Sequence, residues 1–451
     1  MNRYLILPNC CDTNRGDQSL VWESIRLAKD AGFEGKYSIL SAEKDLEQSK
    51  SVGLKVIEPI LLHPSRKTKR KNNIGYDLLL KAGWGCTAVL DFITSLYVLA
   101  VCGFHCWKRW LPRRYHQTIE AFRDCNAVFV KGGGFLHSHG GITAWYYIYY
   151  QIYHIVLAQK LNKKVYIFPN SIGPVNELFD KSMIKHIFKS AELIYCRENI
   201  SKYYISGKFP QFVYQVSFDL GFYLQSDQQF GADAYLNQAL NGRTPDNCVA
   251  ITVRPYRFPE YKNGAQMYQN YINSLALFSR YVYQIGYFPV FVQHTLSEFE
   301  HENDLVSIKE IIALLQEGEY AVIADKNLNC RQLKALYSRF FCLIGTRFHS
   351  VIFAMSEDIP SIAIAYGGNK TIGVMQDIGL KDYAIKPMEM SEIKLIDTFN
   401  KLLKNYEDLK RSLRHINEIA FEERGKIIEQ IRFKNSKSPL TYLDDFSQRM
   451  E

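Results

Sequence analysis

The chain carries ten cysteines but no C-x-x-C pair. That spacing excludes zinc-ribbon and thioredoxin-like readings. It also lacks a G-x-x-x-x-G-K phosphate loop and a G-x-G-x-x-G fingerprint, which argues against a P-loop kinase and a dinucleotide-dependent dehydrogenase. No internal repeat and no low-complexity tract is evident. The opening, Met1-Asn2-Arg3-Tyr4-Leu5-Ile6-Leu7-Pro8, runs directly into a strand and has no signal-peptide shape. With scattered cysteines, this sets the expectation of a reducing, cytoplasmic location. Charge is not strongly one-sided: the net value is +9 over 451 residues, part of it in a basic run at 65–71 and in Lys108-Arg109 with Arg113-Arg114. No nucleic-acid motif accompanies these runs, so they read as solvated loops and no nucleic-acid partner is expected. Cys102, His105 and Cys106 sit close together in an apolar stretch without a second ligand cluster. They read as packing residues, and no metal site is expected.

What is abundant is apolar surface: 47% of the residues are hydrophobic, with 30 tyrosines and 27 phenylalanines. A chain of this length and composition is globular and long enough for two cores. Short apolar runs alternate with helical spacing throughout. Strands are expected at 4–7, 36–40, 55–60, 127–131, 164–168, 193–196 and 211–216, then at 248–253, 289–293, 321–324, 341–344 and 361–365. This alternation indicates βα units on parallel sheets. The polar stretch 226–247 has no strand pattern and contains Gly231, Gly242 and Pro245, so the link falls there. The expected division is a first α/β domain at 1–235, a second at 246–415, and a helical tail at 416–451. Two α/β halves imply Rossmann-like domains facing a cleft, the GT-B-like arrangement.

Segment 87–107 stands apart. It is apolar over 21 residues, interrupted by Asp91 and followed by Lys108-Arg109. Its length allows a membrane span, but Asp91, Gly103 and His105 weaken that reading. Two readings remain open: a helix at a membrane interface, with basic flanks drawn to anionic lipid, and a helix buried between domains.

Polar residues recur immediately after predicted strands, on the edge where open α/β sheets bind ligands. In the first half these are Asn14 and Asp17, the glycines 132–134 (Gly133 and Gly134 among them) with His137, Ser171, Arg197 and Asp219. In the second they are Arg254, His294, the run Gly345-Thr346-Arg347-Phe348-His349-Ser350, and Lys370. Arg347 and His349 fall where a buried strand meets a helix start, whose unpaired N–H groups favour an anion. Plainer readings stand beside these. Asp17 fits a first-turn carboxylate, the glycines a tight turn, Arg197 an ion pair with Glu198, Arg347 a structural pair with a carboxylate, and His349 a core histidine.

Asn14-Arg15-Gly16-Asp17-Gln18, Gly132-Gly133-Gly134-Phe135, Ser171-Ile172-Gly173-Pro174, Arg197-Glu198-Asn199, the Asp219 turn and Gly345-Thr346-Arg347-Phe348-His349 resemble the polysaccharide pyruvyl transferases. The resemblance covers roughly residues 4 to 390 and leaves out the apolar insertion. It implies a GT-B-like fold, phosphoenolpyruvate as donor, no further cofactor, and a glycan acceptor, here expected to be lipid-linked. It places the donor on Arg347 and His349, with Arg254, Gly345, Thr346, Ser350 and Lys370 around them. The acceptor falls to Asn14, Gly133, Gly134, His137, Ser171 and Arg197. The chemistry is ketal formation: the arginines hold phosphate and carboxylate, His349 protonates the methylene carbon, and Asp17 is the base. His294 is the next proton source. Peripheral contact with the inner face of the cytoplasmic membrane is the accompanying expectation. Two rivals share these features: a GT-B glycosyltransferase using a nucleotide sugar, and a non-catalytic scaffold of polysaccharide assembly.

Overall fold

In each half, a short strand lies at the centre of a parallel sheet and every neighbour is reached through a helical crossover. The computed structural model describes residues 1–43, 46–61, 74–138, 144–175, 178–258, 261–366 and 370–436. The basic run at 65–71 lies outside the described residues. The first sheet contains β1 (Arg3–Leu7), β2 (Lys36–Leu40), β3 (Lys55–Ile57), β4 (Ala127–Val130), β5 (Gly133–Leu136), β6 (Lys164–Ile172), β7 (Ala191–Cys196) and β8 (Gln215–Val216). Its order is β3-β2-β1-β4-β6-β7-β8, with β5 paired to β6. The second contains β9 (Cys248–Thr252), β10 (Phe288–Val292), β11 (Ala321–Ile323), β12 (Cys342–Gly345), β13 (Ser361–Ile364) and β14 (Ala384–Ile385), in the order β11-β10-β9-β12-β13-β14.

The strands pair in parallel, Ile6 opposite both Ile39 and Phe129, and Ile344 opposite both Ile251 and Ile362. Buried on both faces, they read as continuous apolar runs rather than alternating ones: β4, β9, β10, β12 and β13 are buried at every position. Each sheet reverses its direction of growth once, between β1 and β4 and between β9 and β12. Crevices at such switch points are where open α/β sheets bind ligands. The loops leaving β1, β4, β9 and β12 carry Asn14 and Asp17, Lys131, Arg254, and Arg347 with His349.

Two boundaries differ from the sequence reading. The expected first domain ends at 235, yet the helix Ala232–Ala239 packs on β11 and on the helix Cys330–Tyr337 of the second half. Ala232, Leu236 and Leu240, one turn apart, are its buried stripe. Three apolar positions in a polar stretch were too few to show as a helical pattern. The expected tail from 416 is also not separate. The helix Tyr406–Ser436 is continuous through 415 and returns to the first half, where Arg424 bonds Glu23 at 3.0 Å and Asp30 at 2.5 Å, and Gln430 meets the Tyr195 hydroxyl at 2.5 Å.

The apolar insertion forms the helix Ile74–Val101. One side is pinned to the first domain: Ser95 Oγ lies 2.6 Å from the Tyr149 hydroxyl, and the Phe92 and Tyr149 rings are 4.9 Å apart. The other side is bare. Leu90 is 64% exposed and Ile93 59%, with Val89, Leu96 and Tyr97 beside them. The segment is therefore not a helix buried between domains. Its stretch Ala82–Val101 is long and apolar enough to cross a membrane by length and composition, with only 17% of the most apolar window buried.

Candidate functional site

The two switch points meet across a seam. The Asn14–Thr295 bridge joins the halves, helped by Leu296 N–H donating to the Thr13 carbonyl at 2.8 Å and Cys330 N–H to Gln18 Oε1 at 2.8 Å. On the first side, Asn14 caps the helix Arg15–Asp30: its Oδ1 accepts from the N–H groups of Gly16 and Asp17. Its Nδ2 holds Asp17 Oδ2 at 3.0 Å. Asn14 is thus a helix cap that also orients the Asp17 carboxylate.

Asp17 faces Lys131, whose ammonium lies 2.6 Å away. Burial would raise the Asp17 carboxyl, but Lys131, aided by His349 and Lys370, outweighs it and holds the group below its ordinary value. Lys131, penalised by burial but paired with Asp17, is pushed up to about 12. Asp17 is therefore a firmly ionised carboxylate. Lys131 was not singled out from sequence, although a lysine closing an apolar strand is a visible anomaly.

Arg197, Ser171 and Asp219 form one buried network. Arg197 Nη1 bonds Asp219 at 2.7 Å and its Nε bonds Ser171 Oγ at 2.7 Å, while Ser171 donates to Glu198 at 2.9 Å. Both side chains of the Arg197–Asp219 pair are at most 1% exposed. The plainer reading of Arg197 as an ion-pair partner is realised, with Asp219 as the closer carboxylate. Gly134 lies at the edge of this network: a Cβ there would stand 3.0 Å from Arg197 Nη2 and 4.0 Å from Lys370 Cδ. Gly133 adopts φ +144°, which suits glycine alone. His137 is half-buried beside Tyr147.

On the second side, Arg347 occupies the residue before the helix Phe348–Met355. Its guanidinium does not face outward unpaired. Nε and Nη2 lie 2.7 and 2.6 Å from Asp304 Oδ1, and Nη2 also donates to the Glu302 carbonyl. Asp304 is fully buried, and its other oxygen accepts from the N–H groups of His294 and Thr295. Arg347 is thus a structural partner of a buried carboxylate, the plainer reading of its position. Gly345, Thr346 and Ser350 are packed within the fold rather than presented to a ligand. Thr346 Oγ1 meets the Tyr271 hydroxyl at 2.8 Å, Ser350 Oγ meets Thr252 Oγ1 at 2.6 Å, and a Cβ on Gly345 would strike Val351 at 2.7 Å.

His294 is also withdrawn. It is 1% exposed, its Nδ1 lies 3.2 Å from the Tyr337 hydroxyl, and burial together with nearby cations drives its pKa well below the ordinary value. It stays neutral and is a poor reserve proton source. His349 reaches into the seam. Its Nε2 is 3.8 Å from Asp219 Oδ1 and has no hydrogen-bond partner. Burial lowers its pKa to about 4, against the pull of Asp219 and Asp17. Its ring packs on the glycine at the start of the first helix: a Cβ on Gly16 would lie 2.3 Å from Nδ1. Gly16→Ala is accordingly expected to cost about 1–3 kcal/mol of stability. Adding His349→Ala should recover part of that loss in thermal denaturation. Equal loss in the single and double variants would contradict the contact.

Arg254 and Lys370 complete the site. Arg254 Nε is buried without a hydrogen-bond partner, and its guanidinium carbon sits 4.4 Å from the centre of the Tyr366 ring. The Lys370 ammonium lies 4.5 Å from the same ring. Among the described residues neither cation pairs with a carboxylate, whereas Lys131, Arg197 and Arg347 all do. Among the described residues no group of three or more His, Cys, Asp or Glu side chains is placed to hold a metal ion. The site is thus a seam with two cations that no carboxylate among the described residues pairs with, the neutral imidazole of His349, and the ionised carboxylates of Asp17 and Asp219.

Residues 14–368 match the family described as Polysaccharide pyruvyl transferase. The chain belongs to that family. The matched span begins at the helix cap Asn14 and closes just after β13. A curated relative, the amylovoran biosynthesis protein AmsJ of Erwinia amylovora, is 24% identical over 307 residues, covering 67% of this chain and 71% of that one. Among solved structures, a putative UDP-N-acetylglucosamine 2-epimerase from Listeria monocytogenes superposes with TM-score 0.56 at 10% identity, over 97% of this chain and 98% of that one. TcCGT1 in complex with UDP gives 0.56 at 8% identity, over 96% and 99%. Alr3699/HepE from Anabaena, in complex with UDP and glucose, gives 0.52 at 12% identity, over 97% and 100%. These likenesses show the GT-B fold of this family member, and at such identities they show the fold alone.

Proposed function

We propose that this protein transfers pyruvate from phosphoenolpyruvate to a sugar of a surface-polysaccharide precursor, as a cyclic ketal. The observation that carries this is the pair of cations, Arg254 after β9 and Lys370 after β13, with which no carboxylate among the described residues pairs. A small donor bearing both phosphate and carboxylate needs two such groups, and half-buried cations that no carboxylate among the described residues pairs with favour an anion. Asp17, ionised and facing the same seam, is the base nearest the acceptor half. Arg347 positions the loop through Asp304, and His349 lines the seam as a neutral imidazole. A nucleotide-sugar donor fits the same fold, as the UDP complexes among its structural likenesses illustrate. The family match favours the pyruvyl donor. Phosphate release from phosphoenolpyruvate in the presence of candidate glycolipid acceptors tests the reading. Release with none of them, while a UDP-sugar is consumed, would overturn it.

The acceptor is proposed to be lipid-linked and met at the inner face of the cytoplasmic membrane. Support comes from the bare side of the insertion helix, where Leu90, Ile93, Leu96 and Tyr97 are exposed together with Phe104 and Trp110, next to Lys108, Arg109, Arg113 and Arg114. An apolar face with a basic rim suits an anionic bilayer surface. Leu90→Glu with Ile93→Glu should abolish sedimentation with anionic vesicles and leave thermal stability within about 0.5 kcal/mol, since neither side chain is buried. Undiminished vesicle binding would contradict the proposal.

A further inference from the structure

Tyr366 follows β13 and is only 9% exposed, and two cations stand against its ring. The guanidinium of Arg254, from the loop after β9, is 4.4 Å from the ring centre, and the ammonium of Lys370, from the helix Lys370–Asp377, is 4.5 Å away. Tyr256, also after β9, stacks obliquely at 5.4 Å. Arg347, after β12, adds a third positive charge, turned mainly toward Asp304 and the Glu302 carbonyl. Burial by itself would keep the phenol protonated. Lys370, Arg254 and Arg347 together outweigh burial and bring the hydroxyl down to about 7. In the same cleft the imidazole of His349 is lowered to about 4. Of these two side chains the phenol is the one whose surroundings bring it toward neutrality.

Resting on the phosphoenolpyruvate reading, we infer that the hydroxyl of Tyr366, whose ring stands against Arg254 and Lys370, delivers the proton to the methylene carbon of the donor. The donor's phosphate and carboxylate answer those two cations when they bind. Binding thus returns the phenol to its protonated form at the moment a proton is needed. The O–H bond of Tyr366 breaks and a C–H bond forms at the methylene carbon, using the electrons of the carbon–carbon double bond. The adjacent carbon becomes electrophilic, and the first sugar hydroxyl adds to it. That hydroxyl's proton restores the phenol. The carbon–oxygen bond to phosphate then breaks with its electron pair, the second hydroxyl closes the ketal, and Asp17 takes its proton and passes it to the departing phosphate. No oxidant, reductant or further co-reactant enters the balance. Arg254 and Lys370 serve twice, as anion clamp and as the field that tunes the proton donor.

Tyr366→Phe removes the hydroxyl and keeps the ring between its cations. Difference absorbance of wild type minus this variant should show a phenolate that titrates near neutrality, and saturating phosphoenolpyruvate should move that titration to higher pH. Single-turnover phosphate release in a folded Tyr366→Phe variant should slow by about 10²–10⁴-fold, with donor affinity by calorimetry nearly unchanged. A variant that turns over at the wild-type rate, or a difference spectrum with no phenolate below the ordinary tyrosine range, would overturn the assignment and leave the donor reading intact. A wild type that binds no phosphoenolpyruvate while its phenol still titrates near neutrality would overturn the donor reading, and the proton-transfer role with it.

Discussion

Replacing Arg254 with methionine is expected to weaken phosphoenolpyruvate binding by about 2–5 kcal/mol, roughly thirty- to several-thousand-fold, without unfolding the protein. The guanidinium is half-buried, its Nε has no hydrogen-bond partner, and no carboxylate among the described residues pairs with it. Methionine keeps an extended side chain against Tyr366 and removes only the charge. Because no buried carboxylate is stranded, stability should hold, or rise slightly as repulsion from Lys370 is relieved. Calorimetric titration with phosphoenolpyruvate, alongside thermal denaturation, separates the two quantities. Unchanged donor affinity in a folded variant would remove Arg254 from the donor site.

Arg347→Ala is expected to behave in the opposite way, with a loss of about 3–5 kcal/mol of stability as its main effect. Its guanidinium is the charge partner of Asp304, which is fully buried and also accepts the N–H groups of His294 and Thr295. Burial already raises the Asp304 carboxyl with Arg347 in place. Without the arginine the shift grows. A carboxyl raised in the folded state contributes stability that is present at low pH and lost as pH rises through the folded value. The deficit of the variant should therefore narrow as pH is lowered through the raised Asp304 value toward the ordinary carboxylate range. Asp304→Leu added to Arg347→Leu should restore stability more than either change alone, because no lone charge remains. Denaturant unfolding across this pH range is the measurement. A stability deficit that is independent of pH would argue against Asp304 as the stranded group.

The two arginines show how far residue type and spacing carry. Both follow a predicted strand, and both were expected to clamp an anion. Sequence placed them correctly at the sheet edge, because a buried parallel strand ending in a cation is hard to read otherwise. It could not show that Asp304, 43 residues upstream of Arg347, answers one of them and that no carboxylate among the described residues answers the other. The same holds for Arg197, whose expected neighbour Glu198 is a weaker partner at 3.6 Å than Asp219 at 2.7 Å. Strand positions were legible because β4, β9 and β12 are short, almost wholly apolar runs, buried at every position, that sit between helical periods. The helix Ala232–Ala239 was not, since its buried stripe is only Ala232 and Leu236, with Leu240 just beyond its end. Tyr366 and Lys131 were passed over for another reason. One tyrosine among thirty carries no local signal, and its chemistry is set by cations from three separate elements.

The insertion helix illustrates a partial success. Its apolar length and basic flanks are visible in the sequence and fit either a membrane interface or a site between domains. Burial decides against the interdomain one, since Leu90 and Ile93 face outward while Ser95 faces Tyr149.

The central claim is that this seam joins a pyruvyl group to a sugar. Its most direct measurement is the mass of a purified glycolipid acceptor after incubation with the protein and phosphoenolpyruvate. The account predicts that the acceptor gains the mass of pyruvate less water, with one phosphate released for each acceptor modified and with the gain lost in the Arg254→Met variant. An acceptor that is unchanged with phosphoenolpyruvate but gains a hexose when a UDP-sugar is supplied would contradict it.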